Sequence, residues 1–330
     1  MMMSHASTSR DASGSQTVRM ARCEVAGRTF GLDMAAIVGI QPSEVVRYAS
    51  TATDEVIGTI TSQGRQFPVY SLARLLGLPT AGARTGHCIV ATDGVDVWGV
   101  LADRVSHSES RTASEVIPLP ALITGSERSM IRGVVCGTEG QSLPLIVLDL
   151  ESIRPGVLSS RGPGSASSFP EPVAVESGPA SHSTLKRLIT FAAASAPADS
   201  HIRYAFSVTQ VVEITRVPES VALPGSPAFV AGIANWRNRP LPLVRLTTCD
   251  TGSKNDRPSS DRMAVVRVPE CSLPLGLLIS PECEILTCPI LGTTVSPTRI
   301  GVAPSAIRAA FQVAQRTLLF PRFSAHSVTV

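Results

Sequence analysis

The stretch FVAGIANWRNRPLPLVRL, residues 229–246, decides the fold of this chain. An apolar run leads into a short polar segment, and a second apolar run follows it. This pattern is typical of a β-hairpin, because asparagine in the polar segment tolerates the positive φ that a tight turn needs. We therefore predict strands near 229–235 and 241–246, with the turn at Arg237-Asn238.

Two prolines stand in the predicted return strand of this hairpin, Pro240 and Pro242. Proline has no N–H group, so it cannot donate a hydrogen bond to a neighbouring strand. Prolines in sheets are therefore confined to edge strands and to positions beside a bulge. We predict that the return strand lies at one of these places.

A second copy of the pattern, VIGTITSQGRQFPVYSL at 56–72, aligns without a gap over 230–246. In this alignment Gly64 takes the place of Asn238. Glycine adopts positive φ without a steric penalty, so both residues suit the same turn position. The first half of the chain is therefore predicted to contain the same hairpin.

The likeness extends to both sides of the two hairpins. Upstream, FGLDMAAIVGI at 30–40 aligns with YAFSVTQVVEI at 204–214. Downstream, VWGVLADRV at 97–105 aligns with PLGLLISPE at 274–282. A repeat of about 170 residues indicates duplicated domains, because the repeats of a solenoid are only about 20–50 residues long.

A segment of different composition separates the two copies. Of the 29 residues from 156 to 184, 19 are Gly, Pro, Ser or Ala, so little apolar surface is available for burial. We predict a flexible linker here. The predicted organisation is a disordered tail at 1–17, a domain at 18–155, the linker at 156–184, a divergent second domain at 185–323 and a tail at 324–330.

Composition restricts the class of protein. The chain has 330 residues, is 43% hydrophobic and 17% charged, and carries a net charge of +3, so it can form real cores and shows no strong preference for nucleic acid. No apolar run approaches the ~18–20 residues of a membrane helix. Seven scattered cysteines form no even framework of disulfides. These features predict a cytoplasmic protein that neither binds nucleic acid nor inserts into a membrane.

Further hairpins and two helices are expected outside the aligned core. Apolar runs flank a short turn at 87–105, at 134–150 and at 263–279, with turns around Asp93-Gly94, Glu139-Gly140 and Pro269-Glu270. Short strands at this spacing favour small β-barrels. A short helix is predicted within 71–78. Apolar residues at helical spacing predict a second helix over 305–316.

Motifs that would carry catalysis are weak. His87 and Cys88 are adjacent, and on a strand their side chains point to opposite faces, so they cannot form a nucleophile–base pair. Cys283 and Cys288 have a spacing that suits a metal ligand pair, but no second pair stands nearby. The residues therefore predict no catalytic site, no metal site and no cofactor.

The motif of the second hairpin resembles the hallmark of the CheW-like domain, the coupling adaptor of bacterial chemotaxis arrays. In the first half, WGVLADRV and LIVLDL resemble two later motifs of that family. The residues that carry the resemblance are Gly232, Asn235, Arg237, Asn238, Pro242 and Leu246 in the hairpin, Gly99, Asp103 and Val105 in the second motif, and Asp149 in the third.

The resemblance implies a mainly β fold: two tandem CheW-like domains, each of two small SH3-like five-stranded β-barrels around a shared core, with a few short helices. It implies a non-enzymatic adaptor that couples a CheA-type histidine kinase, through the kinase's regulatory domain, to the cytoplasmic tips of methyl-accepting chemoreceptors. Other CheW-like domains are further partners that it suggests. Such a protein would be cytoplasmic and recruited to membrane receptor arrays.

The resemblance also suggests which residues contact partners. We expect Arg237 to contribute most, because an exposed guanidinium presents five donors in a planar fork that fits carboxylates or the carbonyls of a helix end. In the first half Gln63 and Gly39 stand where the second half has Arg237 and Glu213. The candidate partner-binding residues are Val211, Glu213, Gly232, Asn235, Arg237 and Asn238 in the second half, and Gly58, Gly64, Arg65, Gly99 and Asp103 in the first.

Two other functions remain open at this point. One is a degenerate CheW-like structural module that binds other signalling proteins without coupling a kinase, and the other is a β-barrel hydrolase. The two halves also differ in charge. Residues 18–155 contain 12 basic and 14 acidic residues, for a net charge of −2, whereas 185–323 contain 15 and 9, for +6. We therefore expect the halves to bind different partner surfaces.

Overall fold

The structure of the chain is a computed structural model. It describes residues 17–49, 56–62, 64–80, 86–125, 130–137, 143–153, 185–194, 196, 200–246, 261–269, 271–289, 293–294, 307–313 and 316–321.

The chain divides into two compact units, the first formed mainly by the first half of the sequence and the second mainly by the second half. Both are built almost entirely of strands, which confirms the predicted mainly β class. The α-helices in the described residues are short: α1 is Leu72–Leu75 and α2 is Ala121–Thr124. None of the described helices is long and apolar enough to cross a membrane.

The first unit forms two sheets. Their strand orders are β10-β11-β2-β1-β9 and β3-β7-β8-β6-β5-β4. The strands are β1 (Thr17–Val25), β2 (Arg28–Asp33), β3 (Ile37–Pro42), β4 (Arg47–Tyr48), β5 (Val56–Ser62), β6 (Arg65–Ser71), β7 (His87–Thr92), β8 (Val97–Ala102), β9 (Arg104–Thr112), β10 (Ile131–Val135) and β11 (Leu145–Leu148).

Each sheet of the first unit covers a cluster of buried apolar side chains. Met20 and Val147 lie in the cluster of the five-stranded sheet, and Ile60 and Val69 lie in that of the six-stranded sheet. All four are fully buried. Burial of a side chain of this size contributes about 1.5–3 kcal/mol, so these clusters hold the strands in register.

The second unit joins its strands into one eleven-stranded sheet, along which β15-β16-β17-β19-β12-β13-β22-β21-β20 are consecutive neighbours and β14 pairs with β18. Strand β19 connects the two parts of this sheet, because it pairs with β12 along one part of its length and with β18 along the other. The strands are β12 (Leu185–Ala193), β13 (Ile202–Ser207), β14 (Val211–Arg216), β15 (Ser220–Val221), β16 (Val230–Trp236), β17 (Arg239–Arg245), β18 (Arg262–Val266), β19 (Leu275–Pro289), β20 (Thr293–Thr294), β21 (Ile307–Val313) and β22 (Arg316–Pro321).

The structure confirms the predicted hairpin of the second half. Strands β16 and β17 pair antiparallel up to Trp236 opposite Arg239, which leaves Arg237 and Asn238 as the two turn residues. Both have positive φ, 52° and 60°. Positive φ at both central positions is the type I′ geometry that matches the twist of a hairpin.

Strand β17 is not an edge strand, but Pro242 lies beside a bulge, as predicted. The pairing of β16 with β17 shifts between Val230 and Gly232, and this bulge faces Leu243, the neighbour of Pro242. On its other side β17 pairs with β19 only from Leu243 onward. Pro240 and Pro242 therefore precede the part of the strand that has neighbours on both sides.

The other predicted hairpins are also present. Strands β7 and β8 pair antiparallel, as do β10 with β11 and β18 with β19. The predicted turn residues Glu139, Gly140 and Glu270 lie outside the described residues. Helix α1 falls within the predicted segment 71–78, and the hydroxyl of Ser71 accepts a hydrogen bond from the N–H of Arg74 at its start.

The helix predicted over 305–316 is wrong, because residues 307–313 form strand β21. This strand pairs antiparallel with β22 and with β20, and Ala310 is buried. A short apolar segment satisfies helical and extended periodicity about equally well, so pairing with neighbouring strands decides its conformation. The neighbour β22 contains the apolar run Leu318-Leu319 and supplies that pairing.

Several predicted boundaries fall outside the described residues. These are the linker at 156–184, the tail at 324–330 and residues 1–16 of the first tail. Thr17, which the prediction assigned to that tail, is the first residue of β1.

Candidate functional site

Three side chains meet at the tip of the β16–β17 hairpin: Glu213 from β14, and Trp236 and Arg237 from the hairpin itself. The indole Nε1–H of Trp236 donates to a carboxylate oxygen of Glu213 at 2.6 Å. A guanidinium N–H of Arg237 donates to the other oxygen of the same carboxylate, which makes an ion pair. The guanidinium also lies over the indole ring, with Cζ 4.8 Å from the ring centroid. We call these three residues the tip clamp.

The tip clamp orients Arg237 more than it stabilises the fold. The side chain of Arg237 is 66% exposed, and an ion pair at such a site contributes only about 0–1 kcal/mol. A cation over an exposed aromatic ring adds ~0.5–1 kcal/mol. The left-handed backbone conformation of Arg237 costs roughly 1–2 kcal/mol for a residue with a side chain. These contributions nearly cancel, so the result is an exposed guanidinium held in one orientation.

Trp236 was missed as a site residue by sequence reasoning. Its position next to Arg237 in the sequence does not reveal the contact with Glu213, because β14 and β16 are not paired strands. The indole is half-buried and packs with the half-buried Val212 of β14 against a core cluster of the second unit. Only this packing places Nε1 within reach of the carboxylate.

The predicted glycines Gly58 and Gly232 lie at matching close approaches of backbone. A Cβ atom on Gly58 would be 2.4 Å from the carbonyl oxygen of Arg47 on β4. A Cβ atom on Gly232 would be 2.7 Å from the carbonyl oxygen of Val221 on β15. Because neither glycine has a side chain, a short edge strand can pack against each hairpin. This packing explains why both copies of the motif have glycine at this position.

Gly99 and Asp103 also have local contacts of their own. A Cβ atom on Gly99 would be 2.8 Å from Sγ of Cys88 and 2.9 Å from a methyl group of Val69, so the glycine fills a tight place between β7 and β6. The carboxylate of Asp103 accepts a hydrogen bond from the backbone N–H of Ala26 at 2.7 Å. Ala26 has φ 50° in the turn between β1 and β2, so Asp103 caps that turn.

The remaining candidate residues lie along the hairpins and their neighbours. Val211 is half-buried at the start of β14, and Asn235 is half-buried on β16. Asn238 and Gly64, with φ 60° and 74°, are exposed turn residues, and Arg65 is exposed at the start of β6. Gln63, the counterpart of Arg237, lies outside the described residues.

Cys23 and Cys88 are buried, and Cys136, Cys271 and Cys283 are partly buried. Burial raises the pKa of Cys23 to about 12 and the pKa of Cys88 and Cys136 to about 11. Since the thiolate is the reactive form, these groups are poor nucleophiles at neutral pH. His87 and Cys88 are consecutive residues of strand β7, so their side chains point to opposite faces of the sheet, as predicted. The residues that the structure describes contain no cluster of His, Cys, Asp or Glu that could hold a metal ion.

Two carboxyl groups outside the tip clamp have shifted pKa values. A hydrogen bond from the backbone N–H of Thr112 lowers the pKa of Glu115, which closes a capping box. A hydrogen bond from Arg316 lowers the pKa of Glu284. Neither group lies on β14 or in the β16–β17 hairpin.

The chain belongs to the CheW-like domain family. The family model matches it twice, over residues 19–155 and 198–322, which together make up most of the sequence. The two matches cover both halves, and the hairpin with its tip clamp lies within the second.

Two known proteins are similar to parts of this chain. The chemotaxis protein CheW of Rhizobium meliloti is 30% identical over 95 residues, which are 28% of this chain and 61% of that protein, so the chain spans less than two thirds of this relative. The crystal structure of the scaffolding protein TtCheW from Thermoanaerobacter tengcongensis aligns at 15% identity with a TM-score of 0.37, over 43% of this chain and 90% of that one.

Proposed function

We propose that this chain is a non-enzymatic adaptor of chemotaxis-type signalling that links a CheA-type histidine kinase to the cytoplasmic tips of chemoreceptors. Membership of the CheW-like family over both halves supports this role. The name of one similar protein, a chemotaxis protein, agrees with it. The adaptor works in the cytoplasm, at the membrane-bound arrays where its partners are held.

The observation that carries the proposal is the tip clamp. Arg237 is exposed at the end of a hairpin, and Glu213 and Trp236 hold it in place. A guanidinium fixed in this way loses little side-chain entropy when a partner binds, and its side chain is 66% exposed and therefore accessible to that partner. A carboxylate or the carbonyl groups at a helix end on a receptor tip would complement it.

The test is to measure binding of the full chain to two immobilised partners encoded in the same genome: the regulatory domain of a CheA-type kinase and a chemoreceptor tip. Arg237→Ala should weaken binding to the receptor tip by ~1–3 kcal/mol, because a charge-assisted contact is lost. Arg239→Ala is the matched control. It removes one charge from the same hairpin, and its side chain is likewise exposed.

Equal weakening by both variants would show that only the net charge of the hairpin matters, and it would contradict the assignment of Arg237. If the chain bound neither partner, that result would contradict the coupling role as a whole. It would then favour a CheW-like structural module that binds other signalling proteins.

A further inference from the structure

The carboxylate of Glu213 is divided between two donors at the hairpin tip. One oxygen accepts the hydrogen bond from the indole N–H of Trp236 at 2.6 Å, and the other accepts a hydrogen bond from Nη2 of Arg237. A carboxylate with both oxygens free commonly takes two parallel hydrogen bonds from one guanidinium. Because Trp236 occupies one oxygen, the ion pair of Glu213 with Arg237 consists of a single hydrogen bond.

This single hydrogen bond leaves a complete pair of parallel donors on Arg237. A guanidinium has two such pairs: Nε–H lies beside one hydrogen of Nη2, and the second hydrogen of Nη2 lies beside one hydrogen of Nη1. Glu213 uses one hydrogen of Nη2, so the pair that contains the other hydrogen stays intact. Since the side chain of Arg237 is 66% exposed, a partner can reach the guanidinium.

The charge of the tip favours an anion as the group that meets these donors. The charges of Glu213 and Arg237 balance each other, and the exposed Arg239 beside the turn adds a positive charge. The second half of the sequence, residues 185–323, carries a net charge of +6. Two parallel N–H donors fit the two oxygens of one carboxylate, whereas each carbonyl at a helix end offers a single oxygen.

The first half of the chain lacks all three members of the tip clamp. In the alignment of the two copies, Ser62 and Gln63 stand at the places of Trp236 and Arg237, and Gly39 stands at the place of Glu213. The hairpin backbone is the same in both halves and does not need these side chains. The three residues are therefore present together or absent together, as expected if they act as one unit.

We propose that Trp236 is a positioning residue that keeps one donor pair of Arg237 available for a carboxylate side chain of the chemoreceptor tip. By holding one oxygen of Glu213, the indole N–H prevents that carboxylate from occupying two donors of Arg237. An aspartate or glutamate of the partner then binds the intact pair through two parallel hydrogen bonds. This inference rests on the proposed function and names the group that Arg237 recognises.

The experiment measures binding of the full chain to the immobilised chemoreceptor tip. Arg237→Lys keeps the charge but removes the parallel donors, so we expect about tenfold weaker binding. Trp236→Phe keeps an aromatic ring but removes the N–H group, so Glu213 can take both donors and binding should weaken about fivefold. Arg239→Lys is the matched control, and its affinity should stay within about twofold of the original.

A second background separates the positioning role of Trp236 from a direct contact of its ring with the partner. A glutamine at position 213 has only one acceptor oxygen, so it cannot take two parallel hydrogen bonds from a guanidinium. Trp236→Phe in the Glu213→Gln background should therefore change the affinity by less than about twofold. An equal loss in both backgrounds would overturn the positioning role.

Nitrogen NMR of the free chain gives a readout that needs no partner. The Nε signal of Arg237 is assigned by its loss in Arg237→Lys. Rotation about the Nε–Cζ bond should be slower in Trp236→Phe than in the original chain, because two parallel hydrogen bonds with Glu213 restrain the guanidinium more than one does. Equal rotation rates in the two chains would overturn the role of the indole N–H.

Replacements on the receptor side test the class of the bound group. Changing each Asp and Glu of the tip to Asn or Gln should reveal one position whose loss of affinity matches that of Arg237→Lys and does not add to it. If no position behaves so, or if Arg237→Lys binds as tightly as the original chain, the carboxylate assignment is wrong while the proposed function stands. A chain that does not bind the tip at all overturns both.

Discussion

The two hairpins of this chain, β5–β6 and β16–β17, share a backbone and differ at the tip. Each has a register shift next to its glycine, Gly58 or Gly232, and each places a proline opposite the residue after that glycine. Each return strand then pairs in parallel with a strand that contains a buried glycine, Gly99 or Gly276. Packing against a core requires these features, so both copies retained them, whereas the exposed tips changed freely.

Strands β3 and β14, which occupy matching positions in the two units, also share a backbone arrangement and differ in a side chain. Both pair antiparallel with a shift at their second residue, so the backbone arrangement is common to both. Glu213 in one strand is replaced by Gly39 in the other, and the replacement removes the partner of a tip arginine and the charge on a sheet edge. One half therefore presents a polar, oriented tip and the other an apolar edge, which suggests different partners for the two halves.

A third difference lies at Asp103 and its counterpart Ser280. In the first unit β8 and β9 are separate strands, and Asp103 between them caps the β1–β2 turn. In the second unit β19 continues through Ser280, and the buried Arg203 donates a hydrogen bond to the carbonyl of Glu282 near this point. The second unit therefore has a hydrogen bond from the guanidinium of Arg203 close to the position where the first unit has a hydrogen bond to the carboxylate of Asp103.

The largest effect is expected where the two hairpins agree. Gly58→Ala and Gly232→Ala should each destabilise their own unit by ~1–3 kcal/mol, because the new Cβ atom would overlap a carbonyl oxygen. Gly39→Ala, in open space, should stay within ~0.5 kcal/mol. Differential scanning calorimetry of the full chain measures all three. If Gly58→Ala were as harmless as Gly39→Ala, the close approach of β4 would not be a requirement of the fold.

A smaller effect is expected at the turn cap. Asp103→Ser, which gives the first unit the residue of the second, should cost ~0.5–1.5 kcal/mol because the N–H of Ala26 loses its acceptor. The control is Asp96→Ser, an exposed aspartate in the β7–β8 turn. Thermal unfolding compares the two. Equal stability of both variants would mean that the cap contributes nothing and that the break between β8 and β9 has another cause.

The smallest effect on stability is expected at the tip itself. Arg237→Gly relieves the left-handed backbone and removes the tip-clamp contacts, so the two changes should leave stability within ~0.5 kcal/mol of the original. Arg237→Ala keeps the backbone cost and should be less stable than Arg237→Gly by ~1 kcal/mol. Calorimetry separates them. An Arg237→Gly variant that is clearly less stable than Arg237→Ala would show that the turn is not strained.

Much of the fold could be predicted from residues that are close in sequence. The hairpin turns follow from Asn238, Gly64 and Gly94, since positive φ at a turn is a local property of the chain. The segment 307–313 could not be assigned in this way, because its apolar spacing fits a helix and its strand conformation depends on pairing with β22. The sequence predicted Arg237 and Glu213 as separate candidate residues, but it did not predict their contact in the tip clamp.

The sequence by itself determined the duplication, the mainly β class, the positions of the turns and the family, because these depend on residue order and local backbone preference. Only the tertiary structure decided that Trp236 and Arg237 share the carboxylate of Glu213, that Gly58 and Gly232 face carbonyl oxygens, and that β3 ends its sheet among the described strands. The physical reason is that hydrogen bonds, close packing and exposure depend on distances between residues far apart in the chain, and those distances exist only after the strands have paired.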